Sequence, residues 1–212
     1  MQIAIPVFER ITALDAVGPY EVLQRLPESE IVFISHREGN VRTDNGFLGL
    51  AADAVFEDVP DPDVVVFPGG VGTRPMMKDG RVIEWLRKAH ETTLFTTSVC
   101  TGALILGAAG LLEGLDATTH WGAYDLLATT GARPVEQRVV ENLDRRIITA
   151  AGVSSGIDMA LRLAELLFDA DAARAMQLMI EYDPQPPFDA GSVAKAGPGV
   201  MARLRDYSQD RH

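Results

Sequence analysis

Cys100 is the only cysteine of the 212-residue chain and the first candidate for chemistry. It follows an apolar, β-branched segment at 94–98 and precedes small and aliphatic residues at helical spacing, which predicts a strand-to-helix turn. Backbone N–H groups and the helix dipole at such a turn favour the thiolate over the thiol, so the pattern indicates a nucleophile. The alternative is a buried structural cysteine, which is the commoner role of a single intracellular cysteine.

Residues on three other turns could act together with Cys100. Asp15 lies on the predicted loop after the first strand, where its carboxyl group could accept, donate or relay a proton. Gly69 and Gly70 end an apolar strand, and a backbone N–H group there could stabilise a developing negative charge. Gly152 follows a later strand. Ligands of parallel sheets bind beyond the carboxyl ends of the strands, so these four turns could build one site.

The segment 152–156 (GVSSG) matches the G-x-S-x-G nucleophile elbow of α/β-hydrolases and competes with Cys100 as the reactive centre. That family places its acid and then its histidine after the serine, whereas the only histidine after this segment is His212. We therefore interpret the segment as a tight turn and helix cap beside the site.

The sequence predicts neither a bound cofactor nor a metal site. The segment 69–72 (GGVG) lacks the G-x-G-x-x-G spacing of dinucleotide-binding loops and does not follow the first strand. The four histidines are scattered, and no second cysteine could complete a set of ligands. His120 follows a possible strand end and could line the pocket, although a hydrogen-bonded buried histidine is the commoner case.

The composition disfavours nucleic acid and membranes as partners. The chain has 19 basic and 30 acidic residues and a net charge of −11, which repels phosphate backbones and anionic lipid surfaces. We expect neither export nor membrane insertion, because no basic segment precedes an apolar run and no apolar stretch is long enough to span a bilayer. A single cysteine fits the reducing cytoplasm. A small-molecule ligand is therefore expected.

Strands alternate with helices along the chain, which predicts a mostly parallel sheet with helices on both faces. The helix after the first strand is predicted to begin near Pro19, which leaves Asp15 on the loop before it. Asn45-Gly46 predicts a hairpin within 41–52. The other predicted strands are 2–8, 30–35, 63–68, 94–98, 137–141 and 146–150, with a possible strand end at 117–121. The other predicted helices lie around 82–89, from 101 onward, and at 124–129, 154–167, 171–181 and 201–207, with an extended segment at 184–187.

Five segments together resemble the DJ-1/PfpI superfamily: LDAVGPYEVL (14–23), VVVFPGG (64–70), TTSVCTGALILGAAGLLEG (96–114), ATTHW (117–121) and AAGVSSGIDMAL (150–161). The resemblance extends over nearly the whole chain, in spacing as well as in residue type. It implies a flavodoxin-like three-layer α/β sandwich with a cysteine nucleophile elbow. Residues 1–212 would form a single domain, in which 182–212 is a C-terminal tail with a short helix.

Within the superfamily, the sequence is most similar to the isocyanide hydratases. The likeness rests on the aspartate before Gly-Pro, the threonine after the cysteine and the tail segment EYDPQPPFDAGS (181–192). It implies a cofactor-free homodimer that hydrates an isocyanide with a cysteine nucleophile. Our hypothesis is that the reaction gives an N-substituted formamide through a covalent thioimidate. Carried over by position, Cys100 is the nucleophile and Asp15 its acidic partner, with Gly70 and Thr101 as neighbouring backbone and side-chain donors.

Other branches of the superfamily fit less well. PfpI-type proteases carry a histidine where this chain has Thr101, and DJ-1-like glyoxalases usually carry a glutamate where it has Asp15. A third branch adds a helix-turn-helix module, but only about 30 residues follow Glu181, so we do not expect one. Two alternatives stay open: a cofactor-free glyoxalase for small α-oxoaldehydes, and a non-catalytic redox sensor or chaperone whose cysteine oxidises to the sulfinic acid.

Overall fold

The computed structural model describes the backbone of residues 1–209 and the side chains of residues 1–207. His212 therefore lies outside the described residues. The chain forms two compact units, Met1–Ile180 and a second that begins at Glu181. The single domain with a C-terminal tail at 182–212 stays a prediction.

A seven-stranded sheet forms the centre of the first unit. Its strands are β1 (Gln2–Pro6), β2 (Glu30–Ser35), β5 (Ala54–Val55), β6 (Val64–Phe67), β7 (Phe95–Val99), β10 (Val139–Asn142) and β11 (Ile147–Ala150). They lie in the order β10-β11-β7-β6-β1-β2-β5, and within this sheet only β10 is antiparallel to its neighbour. Strands β3 (Gly39–Arg42) and β4 (Gly49–Ala52) form an antiparallel pair, and β8 (Asp116–Ala117) and β9 (Arg133–Pro134) form a parallel pair. The predicted hairpin around Asn45-Gly46 is confirmed.

Helices surround this sheet, so the flavodoxin-like α/β prediction is confirmed. They are α1 (Ala13–Leu23), α2 (Thr73–Met76), α3 (Gly80–Thr92), α4 (Ala103–Ala108), α5 (Tyr124–Ala128), α6 (Ser155–Leu167) and α7 (Ala170–Met179). In the second unit, α8 (Val193–Gln209) is interrupted by a non-helical residue, Gly197, and is longer than the helix predicted at 201–207. No helix among residues 1–209 has the length and apolar character needed to cross a membrane.

The strands at the centre of the sheet are buried on both faces. All four residues of β6 and all four of β11 are buried, as are four of the five residues of β1. Both faces are covered, so these strands are continuous apolar runs rather than alternating patterns. This is why the sequence indicated their positions.

Helix α1 begins earlier than predicted, because it includes Pro19 instead of starting there. A proline inside a helix removes one backbone hydrogen bond, but close packing against α6 compensates for it. A side chain on Gly18 would approach Ile157 to 3.2 Å, and one on Gly156 would approach Pro19 to the same distance. Asp15 consequently lies in the first turn of α1 rather than on the loop before it.

The topology gathers the candidate residues at one edge of the sheet. From β1 the chain adds β2 on one side, and later β6, β7 and β11 on the other, so the direction of winding reverses between β1 and β6. Crevices at such a reversal are the usual ligand sites of open α/β sheets. Asp15 follows β1, Gly69 and Gly70 follow β6, Cys100 follows β7 and Gly152 follows β11.

Replacing Gly102 with alanine should destabilise this edge of the sheet. A Cβ atom there would lie 2.0 Å from the carbonyl oxygen of Phe67 and 2.8 Å from that of Pro68, and neither backbone atom can move cheaply. We expect the free energy of unfolding to fall by about 3 kcal/mol, measured by denaturant titration. Gly80→Ala is the matched control, because a Cβ atom there meets nothing within 4 Å. Equal stability of the two variants would contradict the packing described here.

Candidate active site

Cys100 lies on a strained turn directly after β7, which confirms the predicted elbow. Its φ angle is +57°, a left-handed conformation that residues other than glycine adopt rarely. Its N–H group donates to the carbonyl oxygen of Ala151 at 2.8 Å, and its carbonyl oxygen accepts from Thr119 Oγ1 at 2.9 Å. Since both backbone groups of Cys100 are hydrogen-bonded, its neighbours hold the strained conformation in place.

Asp15 faces this elbow across Gly69. Asp15 is fully buried and Cys100 is 4% exposed. The N–H group of Gly69 donates to Asp15 Oδ2 at 2.9 Å. A side chain on Gly69 would lie 2.5 Å from Thr101 N and 2.8 Å from Asp15 Oδ2, so only glycine lets the carboxyl group approach the turn. Asp15 Oδ1 is buried and accepts no well-aligned hydrogen bond from the described residues.

Burial raises the pKa values of both groups. It raises the pKa of Asp15 to about 7, although the Gly69 N–H group and the Cys100 thiol lower it, and the Asp44 carboxylate raises it further. Burial and then the charge of Asp15 raise the pKa of the Cys100 thiol to about 12, against the lowering effect of the Val153 and Thr101 N–H groups. The expectation that the turn favours the thiolate is therefore wrong for the resting protein.

The lost hydration of the sulfur explains this reversal. The turn after Cys100 is a short 3₁₀ segment followed by the six-residue helix α4, which has a small dipole. Two backbone N–H groups cannot replace the water that a thiolate loses on burial. The sequence indicated the donors, but it could not show how completely the sulfur is covered.

Asp15 and Cys100 are best described as one coupled acid. Above pH 7 the pair holds one proton and one negative charge. The Gly69 N–H group stabilises that charge on Asp15, and the Val153 and Thr101 N–H groups stabilise it on the sulfur. Transfer of the shared proton to Asp15 generates the thiolate without a change in the net charge of the site.

Gly70 and Thr101 are both brought to the site, where each donates a hydrogen bond to the other. The Gly70 N–H group donates to Thr101 Oγ1 at 2.8 Å, and Thr101 Oγ1 donates to the Gly70 carbonyl oxygen at 3.0 Å. These bonds tie the loop after β6 to the elbow. The Thr101 backbone N–H group faces the sulfur. The role of the Gly70 N–H group and the Thr101 hydroxyl as donors to a reacting atom stays a prediction.

Sequence reasoning missed the backbone of Val153 as a donor to the sulfur. Val153 has a φ angle of +30° and follows Gly152 in the G-x-S-x-G segment. The segment forms the predicted tight turn. Ser154 stands at the N-cap position of α6 without a capping hydrogen bond from its side chain, so that part of the prediction is wrong. The glycine-rich composition was the only sequence signal for this donor.

His120 lies beside the elbow and is half-buried. Its Nδ1 accepts from the N–H group of Gly122 at 3.2 Å, and its ring centroid is 5.2 Å from that of Trp121. A side chain on Gly152 would approach the His120 ring to 3.1 Å. Burial and then the charge of Arg74 lower the pKa of His120, which keeps the ring neutral near pH 7. Among the described residues, no group of three or more His, Cys, Asp or Glu side chains could hold a metal ion.

Comparison with known proteins identifies relatives over nearly the whole chain. Residues 1–166 match the model of the DJ-1/PfpI family. The chain is 43% identical over 205 residues to isonitrile hydratase of Pseudomonas putida, covering 97% of this chain and 89% of that protein. It is also 30% identical over 188 residues to protein DJ-1 homolog A of Arabidopsis thaliana, covering 87% of this chain and 47% of that longer protein.

Solved structures show the same architecture. A THiJ/PfpI family protein from Pseudomonas syringae superposes with a TM-score of 0.92 at 38% identity, covering 99% of this chain and 86% of that one. Oxidized DJ-1 of Toxoplasma gondii gives a TM-score of 0.75 at 24% identity, covering 86% of this chain and 99% of that one, which shows a shared fold.

Proposed function

This chain belongs to the DJ-1/PfpI family, and we propose that it is an isocyanide hydratase, which converts an isocyanide and water into an N-substituted formamide. The observation that carries the proposal is the buried pair of Asp15 and Cys100 on the elbow. The similarity to isonitrile hydratase of Pseudomonas putida supports the substrate class, since isonitrile is another word for isocyanide.

The reaction begins with proton transfer from the Cys100 thiol to Asp15. The thiolate attacks the terminal carbon of the isocyanide and forms the C–S bond, while Asp15 returns the proton to the same carbon. The product of this step is a thioimidate, R–N=CH–S–Cys100. Carbon protonation and sulfur attack are coupled because the terminal carbon is electrophilic only when a proton can be delivered to it.

Water then hydrolyses the thioimidate. Its oxygen bonds to the former isocyanide carbon, and one of its protons passes through Asp15 to the nitrogen. The C–S bond breaks with its electron pair on sulfur, and the remaining hydroxyl proton returns to the pair of Asp15 and Cys100. The products are R–NH–CHO and the original enzyme, so the atoms balance and no oxidant or reductant is needed.

Parallel assays with an aromatic isocyanide and methylglyoxal test this proposal. We expect the wild-type protein to form the formamide, followed by chromatography, with a higher kcat/KM than for methylglyoxal. Turnover of methylglyoxal without turnover of the isocyanide would favour the glyoxalase alternative. Failure on both substrates, together with ready oxidation of Cys100 by peroxide, would favour a redox sensor. A cofactor-free cytoplasmic homodimer is part of the same proposal, and light scattering would test the dimer.

A further inference from the structure

Arg74 lies on α2 and reaches the loop that is tied to the elbow. Its Nη1 donates to the carbonyl oxygen of Gly70 at 3.2 Å and to Thr73 Oγ1 at 3.4 Å. The same carbonyl oxygen accepts from Thr101 Oγ1 at 3.0 Å. The guanidinium and the hydroxyl next to Cys100 therefore meet at one atom, and Arg74 stands beside the site.

The guanidinium of Arg74 has no carboxylate partner among the described residues, and its side chain is exposed. Only Nη1 takes part in hydrogen bonds with described residues, so Nε and Nη2 can bind a ligand. Several other arginines pair with carboxylates, as Arg162 does with Glu141 and Glu165. Arg74 therefore keeps an exposed guanidinium beside the site, with N–H groups left for a ligand.

Two other titratable groups lie near the site. Thr12 Oγ1 donates to Asp44 Oδ2 at 3.4 Å, and the Asp44 carboxylate acts electrostatically on Asp15. The charge of Arg74 acts on His120, which is neutral near pH 7. Arg74 therefore adds positive charge beside the site.

We propose that Arg74 binds a carboxylate on the organic group of the substrate, so that the protein prefers anionic isocyanides to neutral ones of the same shape. This inference rests on the proposed function for its substrate class. A guanidinium recognises a carboxylate through two parallel N–H···O bonds, which gives both affinity and orientation. With the isocyanide carbon at the sulfur of Cys100, a carboxylate on the far end of the organic group would meet Arg74 beside the loop after β6.

The first experiment compares 4-isocyanobenzoate with 4-isocyanobenzamide, which differ in charge but hardly in size. We expect the ratio of their kcat/KM values to fall about 10-fold or more in Arg74→Met, since a hydrogen bond to a charged group contributes about 1.5–3 kcal/mol. Arg74→Lys keeps the charge and should retain part of the ratio, which a purely structural role would not explain. Arg174→Met is the matched control, because it removes an exposed charge from α7.

The second experiment does not depend on isocyanide turnover. Iodoacetate and iodoacetamide differ in charge, and each alkylates a cysteine when the sulfur displaces iodide. The chain has one cysteine, so the mass of the intact protein reports on Cys100 alone. We expect the ratio of the iodoacetate rate to the iodoacetamide rate to fall in Arg74→Met, to stay unchanged in Arg174→Met, and to fall with added salt in the wild type.

These measurements separate failure of this inference from failure of the proposed function. If neither isocyanide is hydrated but the alkylation ratio depends on Arg74, the hydratase proposal is wrong and Arg74 still selects anionic ligands. Equal ratios in Arg74→Met and Arg174→Met would overturn the role of Arg74, whatever the reaction. Absence of alkylation by both reagents would also overturn it, because a site that admits substrate must admit these smaller molecules.

Discussion

Replacing Cys100 with serine is expected to lower the rate of isocyanide hydration at least about 1,000-fold. A serine hydroxyl has nearly the same shape as the thiol, but it is a far weaker acid. Asp15 therefore cannot generate the alkoxide near pH 7. The chain offers no second thiol that could take over. The measurement is formamide production by purified Cys100→Ser and by Cys100→Ala, with circular dichroism to show that both variants remain folded.

Ser154→Ala is the matched control for this experiment. Ser154 occupies the nucleophile position of the G-x-S-x-G segment, and its Oγ is a hydrogen-bonding partner of Arg138 at 3.3 Å. We expect its kcat/KM to stay within about 2-fold of the wild-type value, since its side chain does not cap α6 and surface changes of this kind have small effects. Wild-type activity in Cys100→Ser, or loss of activity in Ser154→Ala alone, would refute the mechanism.

Asp15→Asn is expected to lower kcat/KM about 100- to 10,000-fold, the range that a positioned acid or base contributes. An amide keeps the size of the carboxyl group but cannot take the thiol proton or deliver it to carbon. Its effect should exceed that of Asp171→Asn, which removes an exposed carboxylate on α7. Equal activity of the two variants would show that Asp15 does not manage the proton.

The pH dependence of kcat/KM in the wild type should reflect the ionisation of Asp15. The pKa of Asp15 is raised to about 7, so below that pH the pair holds two protons and cannot form a thiolate by internal transfer. We expect kcat/KM to rise through about pH 7 and then level off. In Asp15→Asn this limb should disappear, and residual activity should rise only at higher pH, where the thiol itself ionises. A rising limb near pH 7 in both proteins would assign it to another group.

The raised pKa of Asp15 also links stability to pH. Its folded pKa of about 7 exceeds the unfolded value of 3.8, so its contribution to stability is complete below pH 4 and is lost as the pH rises through 7. Across that window the free energy of unfolding should fall by up to about 1.4 kcal/mol per pH unit from this group. Denaturant titrations of the wild type should show this component, and those of Asp15→Asn should lack it.

Much of the fold could be predicted from local patterns. Central parallel strands such as β6 are continuous apolar runs, because both of their faces are covered. The turn of the β3–β4 hairpin follows from Asn45-Gly46, and Gly46 does adopt a positive φ angle. The position of Cys100 between a strand and a helix followed in the same way. These features depend on residues that are neighbours in the chain, so the sequence contains their physical cause.

Helix boundaries and donor directions depended on contacts between distant segments. Helix α1 includes Pro19 because its packing against α6 outweighs the lost hydrogen bond. The Gly70 N–H group is occupied by Thr101, which lies 31 positions later in the chain, and the Val153 N–H group faces the sulfur from a third loop. No local pattern specifies which of several N–H groups will face a given side chain.

The sequence by itself determined the parallel sheet, the elbow and the types of residue that meet at its edge, because each follows from local residue patterns and from chain order. Only the tertiary structure decided the protonation of the pair of Asp15 and Cys100 and the place of Arg74 beside it. Burial that raises a pKa is the sum of many distant atoms that exclude water. That sum exists only after the loops have assembled.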